Sequence, residues 1–335
     1  MIVRFGYVAM SMELQNASPS KTMTMTTFSK LNDRDAALRR LERLAAENLH
    51  NTLRLLKHNR YMDVKVYRFT SKLIPLVTHE LLNDWDPYPV LAEGFADVGS
   101  FVREHHMRVS FHPDHFTVLS TPRADVFRKS VTDLHHHVMM LEAMGLDERA
   151  TCNIHVGGSY GNKETAVRRF IENFGSLEKR IAQRITLEND DKTFTAEETL
   201  NIAEEVGAPM VLDLHHDAVN PSDKPAEQLW PRIMDTWNKF GWNGIAESSD
   251  RLPPKMHISS PKSEKDPRGH ADYVDPEPLL RFLYAIAGLT PAVDIMIEAK
   301  QKDAALLKLM EDMRAAEASG QPVRVIDGAT VEVLG

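Results

Sequence analysis

Residues 211–220 read VLDLHHDAVN, an apolar run that ends in one carboxylate, two adjacent histidines and a second carboxylate. With Pro209 ahead of it and polar residues behind, the run predicts a short buried strand from Pro209 to Leu212. What this strand belongs to depends on whether the rest of the chain repeats the unit: a short apolar strand, a polar exit, then an amphipathic helix.

It does. Strands are predicted at Ile2–Val8, Val64–Phe69, Arg108–Phe111, Thr151–Ile154, Ile185–Leu187, Pro209–Leu212, Pro254–Met256 and Val293–Ile297. Helices are predicted at Asp33–His58, Val90–Arg103, Ala124–Met144, Lys163–Phe174, Thr195–Val206, Ala226–Phe240, Asp275–Ala287 and Asp303–Glu317. Leu38, Leu41, Leu49, Leu53 and Leu56 recur at helical spacing, Gly145 ends a helix, and Thr195 to Glu198 resembles a capping box. Strands alternating with helices imply parallel pairing through right-handed crossovers. Eight such units point to an α/β fold, a single (β/α)8 TIM barrel over residues 1–318, with 319–335 set apart as a C-terminal tail.

Composition agrees with that size. The chain has 335 residues, 42% hydrophobic and 26% charged, which suits one sizeable core. Its single cysteine, Cys152, excludes an internal disulfide framework. No apolar stretch approaches a membrane span, and residues 1–16 lack a basic segment followed by an apolar core. The expectation is a cytoplasmic protein without a membrane partner. A net charge of −8 argues weakly against nucleic acid. Net charge does not decide local potential, however, and a carboxylate cluster changes sign once it holds cations.

The strand ends carry the chemistry. The third ends in His112, the fourth in His155, the fifth in Glu188, the sixth in Asp213 with His215 and His216, the seventh in Lys255 and His257, and the eighth in Glu298. In a parallel barrel these ends share one face, where active sites lie. Histidines and carboxylates are the side chains that hold zinc, manganese or iron. Taken singly, each has a plainer explanation: a helix cap, an Asx-turn or a snorkelling lysine. Six consecutive strands ending this way favour a shared metal site, because clustered carboxylates repel unless a cation balances them. His135, His136 and His137 point in different directions on a helix and read as packing or surface. His50, His58, His105 and His106 receive no role. The GGSYGNK stretch at 157–163 lacks phosphate-loop spacing and reads as a loop passing close to the site.

These residues, with RFGYV, NTLRLL, YRFTSKLIPLVTH, SFHPDHF, AMGL, NIHVGGSYGNK, LENDDKT, DLHHDAVNP, HISSPKS, GHADYVD and MIEAKQKD, carry a resemblance. From Arg4 to about Arg314 the chain resembles the ultraviolet damage endonucleases, endonuclease IV-like metal-dependent barrels. The resemblance implies three divalent ions, manganese first, with zinc, magnesium or cobalt as alternatives. It implies His112, His155 and Glu188 for one ion. It implies Glu188, Asp213, His257 and Glu298 for a second, and His216 and His270 for a third. His79 belongs to the same histidine set, at the cluster's edge. Lys255 matches a carboxylated lysine, two residues before His257 and on the same face of the strand. Glu188, Lys255 and His257 are the implied catalytic centre.

The implied partner is damaged double-stranded DNA, cut immediately 5′ to ultraviolet photoproducts, with abasic sites as a further substrate; because the motifs complete one site within one chain, a monomer is expected. His115 and Phe116 match the pair that probes the duplex, though the family usually has Gln at the first of these. Tyr7 matches a lesion-contact aromatic, and Met10 stands where Asn is expected. Lys262, with Lys163, Lys192, Lys265 and Arg268, is a candidate phosphate contact. Two rivals use the same barrel. A sugar isomerase or epimerase needs fewer metals and a polyol pocket. A non-catalytic damage-binding protein predicts lost ligands, and none is lost.

Overall fold

The computed structural model describes residues 1–239 and 252–335. Its strands are β1 (Ile2–Val8), β2 (Val66–Arg68), β3 (Arg108–Phe111), β4 (Thr151–His155), β5 (Ile185–Glu188), β6 (Met210–Asp213), β7 (Lys255–Ile258), a separate hairpin of β8 (Pro261–Ser263) and β9 (Asp266–His270), then β10 (Ala292–Ile297). All but the hairpin pair in parallel around a ring, which β1 and β10 close from Ile2↔Ala292 to Tyr7↔Ile297. This is an eight-stranded parallel barrel with helices between successive strands. The barrel interior and the helix faces around it form one continuous apolar core.

Local chemistry accounts for the elements. Asp33 caps the helix Arg34–Tyr61 by accepting from the amides of Asp35 and Ala36. Thr195 and Glu198 form the expected capping box at the start of Ala196–Val206, and Gly207 ends that helix in the left-handed region. Gly6, within RFGYV, is dictated by close approach: a Cβ there would lie 2.0 Å from the carbonyl oxygen of Val66 on β2.

Four strands extend past the ends expected from polarity. β4, β5 and β6 include His155, Glu188 and Asp213, and β7 runs through His257 to Ile258. A polar side chain does not end a strand whose backbone stays paired, and these ends are paired: His155↔Glu188 and Asp213↔His257 are register partners. The helix expected to end at Phe240 is described as Ala226–Lys239, and Phe240 lies outside the described residues.

Residues 319–335, read from the sequence as a C-terminal tail, pair with the barrel. They carry β11 (Val323–Val325) and β12 (Thr330–Val333), an antiparallel pair. The reason is geometric. β2 pairs only with Gly6 to Val8 of β1, leaving Ile2 to Arg4 without a neighbour on that side. β12 supplies it in antiparallel register, Ile2↔Glu332 to Arg4↔Thr330, and buries Val331 and Val333.

Candidate metal centre

At the C-terminal rim of the barrel, one carboxylate joins the parts. Glu188 Oε2 lies 3.2 Å from His112 Nε2, and its Oε1 lies 3.1 Å from His257 Nδ1 and 3.6 Å from His216 Nδ1. Glu298 Oε1 is 3.0 Å from His257 Nδ1, and Asp213 Oδ2 is 3.7 Å from His216 Nδ1. Among the described residues, three groups offer ligand atoms within 4.8 Å of one another: His112–His155–Glu188, Glu188–Asp213–His216 and Glu188–His257–Glu298. Glu188 belongs to all three.

The histidines are oriented by backbone carbonyls. The Nδ1 of His112 donates to Pro113, of His155 to Glu188, of His216 to Asn189 and of His270 to Glu298, at 3.0, 3.3, 2.9 and 2.7 Å. A carbonyl only accepts, so a proton sits on each of these Nδ1 atoms, and Nε2 is the nitrogen left to face a ligand once it has lost any proton of its own. His270 lies beside this set, its ring 6.3 Å from that of His216. His215 is different. Its Nε2 donates to Pro267 O at 2.7 Å and its Nδ1 accepts from Ser259 Oγ at 2.5 Å, so neither nitrogen is available.

Do the residues fit divalent cations? Two buried polar atoms here, Asp213 Oδ2 and His257 Nε2, have no hydrogen-bond partner, a costly arrangement unless something ligates them. The donor set of imidazoles and carboxylates suits such ions. The residues fit.

The buried carboxylates are kept ionised by the imidazoles and the guanidinium around them. Burial alone would raise the Glu188 carboxyl, but His257, His155 and His112 hold it well below the usual carboxylate range. Burial likewise opposes ionisation of Glu298, and Arg68 and His257 overcome it. Burial lowers His216, yet Asp213 and Glu188 carry it up to about 9. Lys255 is fully enclosed, with Nζ 2.8 Å from Ser110 Oγ; burial, with Arg108 and Arg68, brings its ammonium down to about 7.

Several expected site residues stand apart. Tyr7 is fully buried, its hydroxyl donates to Asn59 Oδ1 at 2.5 Å, and its ring packs edge-on against Tyr67. His79 caps the short turn Glu80–Leu82, where its Nδ1 accepts from the Leu81 amide at 3.2 Å, and it belongs to none of the three groups. His115 and Phe116 are exposed at the rim, Phe116 by 56%, with ring centroids 5.8 Å apart. Lys262 lies on the β8–β9 hairpin and reaches Asp266 at 3.4 Å. Lys163 pairs with Glu198. Lys192 and Arg268 instead line a cleft of about 460 Å³ together with His112, His155, His216 and His270.

Sequence reading missed the residues that set the ligands in place. Asn153 Nδ2 donates to Glu188 Oε2, while Asn189 brackets Asp213 by accepting from its amide and donating to its carbonyl, both at 2.9 Å. Arg68 Nη1 holds Glu298 Oε1. A signal existed for Asn153: it lies two residues before His155, hence on the same face of its strand. His136 and His137 are buried, in keeping with packing.

A match to the family described as UV-endonuclease UvdE spans residues 3–326. The chain belongs to that family. The UV DNA damage endonuclease of Halalkalibacterium halodurans is 43% identical over 333 residues, 99% of each chain. The solved structure of SacUVDE, 28% identical, superposes with a TM-score of 0.79 over 94% of this chain and 99% of its own. Endonuclease IV from Thermus thermophilus, at 14% identity and a TM-score of 0.51, covers 95% of this chain and 100% of its own, and shares the fold. This UV endonuclease is a DNA hydrolase acting on damaged DNA, which sets aside the sugar isomerase and the non-catalytic readings.

Proposed function

We propose that the enzyme hydrolyses the phosphodiester immediately 5′ to an ultraviolet photoproduct or an abasic site, leaving a 3′-hydroxyl and a 5′-phosphate. The proposed centre uses three divalent ions, manganese first, held by His112, His155, Glu188, Asp213, His216, His257, His270 and Glu298. The observation that carries this reading is the meeting of three ligand groups at one buried carboxylate, Glu188. When bound, such ions acidify water and neutralise charge on the phosphate and leaving oxygen. The protein's own part is to divide Glu188 between neighbours, fix the histidine tautomers and exclude bulk water. A lesion weakens stacking and lowers the cost of presenting its backbone to the site. Phe116 and His115 fill the gap, and Lys192, Arg268 and Lys262 meet flanking phosphates. The enzyme works as a monomer in the cytoplasm, and no helix among the described residues is long and apolar enough to cross a membrane.

The deciding experiment compares irradiated and untreated supercoiled plasmid, with Mn2+ and with EDTA. Only irradiated plasmid with Mn2+ should be nicked; equal nicking of both plasmids, or nicking in EDTA, refutes the reading.

Single groups in the centre make their own demands. His216, held at about 9, is protonated at neutral pH in the metal-free protein, and an ion must displace that proton. Mn2+ uptake should therefore release protons, and its apparent affinity should climb as pH rises toward about 9. Calorimetry in buffers of different ionisation enthalpy reads this directly, and a flat profile speaks against it. Lys255, brought down to about 7, offers a neutral amine to CO2, and the carbamate would add a bridging carboxylate. Intact mass of metal-loaded protein should then be one CO2 heavier in bicarbonate buffer; an unmodified mass ends that assignment. Phe116→Ala removes an exposed ring without touching a ligand group. It should lower kcat/KM on lesion duplex about tenfold or more, given the usual worth of base–aromatic stacking, and leave Mn2+ affinity unchanged.

A further inference from the structure

Arg68 ends β2 and stands against the ligand cluster, where the proposed chemistry gives it no task. Its Nη1 holds Glu298 Oε1, while its side chain stays 14% exposed. Its other guanidinium nitrogens make no hydrogen bond among the described residues, and they are not sealed from solvent. A structural arginine in this protein looks different. Arg184 is buried, and its nitrogens are spent on the carbonyls of Leu146, Asp147 and Ala150. Arg68 has one nitrogen on a ligand carboxylate and a free edge at the rim where the substrate's phosphate must arrive.

The chemistry of that edge is specific. A guanidinium presents donors in a rigid fork that matches two oxygens of a phosphate, stays charged at any working pH, and is cheaper to desolvate than an ammonium. Arg68 also lies close enough to bias several site groups: it helps keep Glu298 ionised, and it opposes protonation of Lys255 and His112. Glu298 Oε1 is engaged by His257 as well as by Arg68, so the carboxylate keeps one partner when the guanidinium is removed.

We propose that Arg68 is a catalytic residue that binds the scissile phosphate: Nη1 orients Glu298, and the free edge of the guanidinium takes a non-bridging phosphate oxygen. It is positioned to answer the charge that builds on that group as the bond breaks. The inference rests on the phosphodiester-cleaving reading of the centre.

The test uses wild type, Arg68→Lys and Arg68→Gln on a duplex bearing one pyrimidine dimer. Nicking, Mn2+ affinity by calorimetry and the salt dependence of duplex binding in EDTA are measured for each. Arg68→Gln should bind Mn2+ as wild type does yet lose about 10²–10³ in kcat, the usual cost of one transition-state donor. Its log–log salt slope should fall by about one phosphate contact. Arg68→Lys should keep the salt slope and recover part of the rate, since it supplies charge without the fork. The proposal is overturned if Arg68→Gln nicks within about tenfold of wild type. It is also overturned if Mn2+ affinity falls in step with nicking, because Arg68 then acts only by holding Glu298. The Lys variant and a melting curve separate misfolding from lost contact. Failure of the wild type to nick the dimer duplex is a different result, and it removes the endonuclease reading itself.

Discussion

Glu188→Gln should abolish metal-dependent nicking while leaving the barrel folded. Each of the three ligand groups contains this carboxylate, and its two oxygens are divided among them, Oε2 toward His112 and Oε1 toward His257 and His216. Gln keeps the shape and one acceptor but removes the charge that balances three imidazoles and any bound cation. The amide nitrogen would also face groups that need an acceptor, since Asn153 already donates to the same end of the side chain. Losing several kcal/mol of charge stabilisation at one shared ligand corresponds to a rate loss of about a thousandfold or more. Mn2+ titration should show weaker binding at more than one site, which distinguishes a bridge from a private ligand. A variant that keeps a tenth of wild-type activity, or that loses a single ion, would remove Glu188 from the centre of the assignment.

The barrel was legible because its signal is repeated. Each unit pairs an apolar run such as Met210–Leu212 with an amphipathic helix, and an error in one unit leaves the other seven in place. The candidate ligand cluster was legible for a related reason. Parallel strands deliver their C-terminal ends to one rim, so His112, His155, Glu188, Asp213 and His257 converge by topology. What stayed hidden has no period. The β8–β9 hairpin that carries Lys262 and His270 is exposed and short, with no buried face to pattern it. The pairing of β12 with Ile2–Arg4 depends on how far β2 extends, which no local run of residues states. The depth of Tyr7 was hidden as well, because a match to a motif gives a position on β1 and not its burial. Tyr7 lies deep enough for its hydroxyl to need Asn59. The positioning residues Asn153, Asn189 and Arg68 bind other side chains or distant backbone, and those partners are known only once the barrel is closed.

The other end of the barrel supplies the largest expected stability effect, at Asp294. Its carboxylate is fully buried and takes Arg4 Nε at 2.6 Å, Arg4 Nη2 at 2.7 Å and Arg108 Nη1 at 2.8 Å. The two guanidiniums differ in what they can do without it. Arg4 is 28% exposed and can turn to water, whereas the Arg108 side chain is 4% exposed and stacks 4.8 Å over Trp237. Asp294→Ala therefore leaves a buried cation with no anion, and that is expected to cost about 3–5 kcal/mol in denaturant unfolding. The penalty comes from the stranded charge and not from the lost pair, so removing both should recover much of it. The double variant Arg108→Met with Asp294→Leu should unfold closer to wild type than Asp294→Ala does. A single variant that costs less than about 1 kcal/mol would mean that water reaches Arg108 and the site is not dry. Lys255 is the register partner of Asp294 on β7, and Asp294 favours its charged form against burial and Arg108. The same substitution should then leave the Lys255 amine more often neutral, so that any loss of nicking per folded molecule in Asp294→Ala cannot be blamed on a protonated lysine.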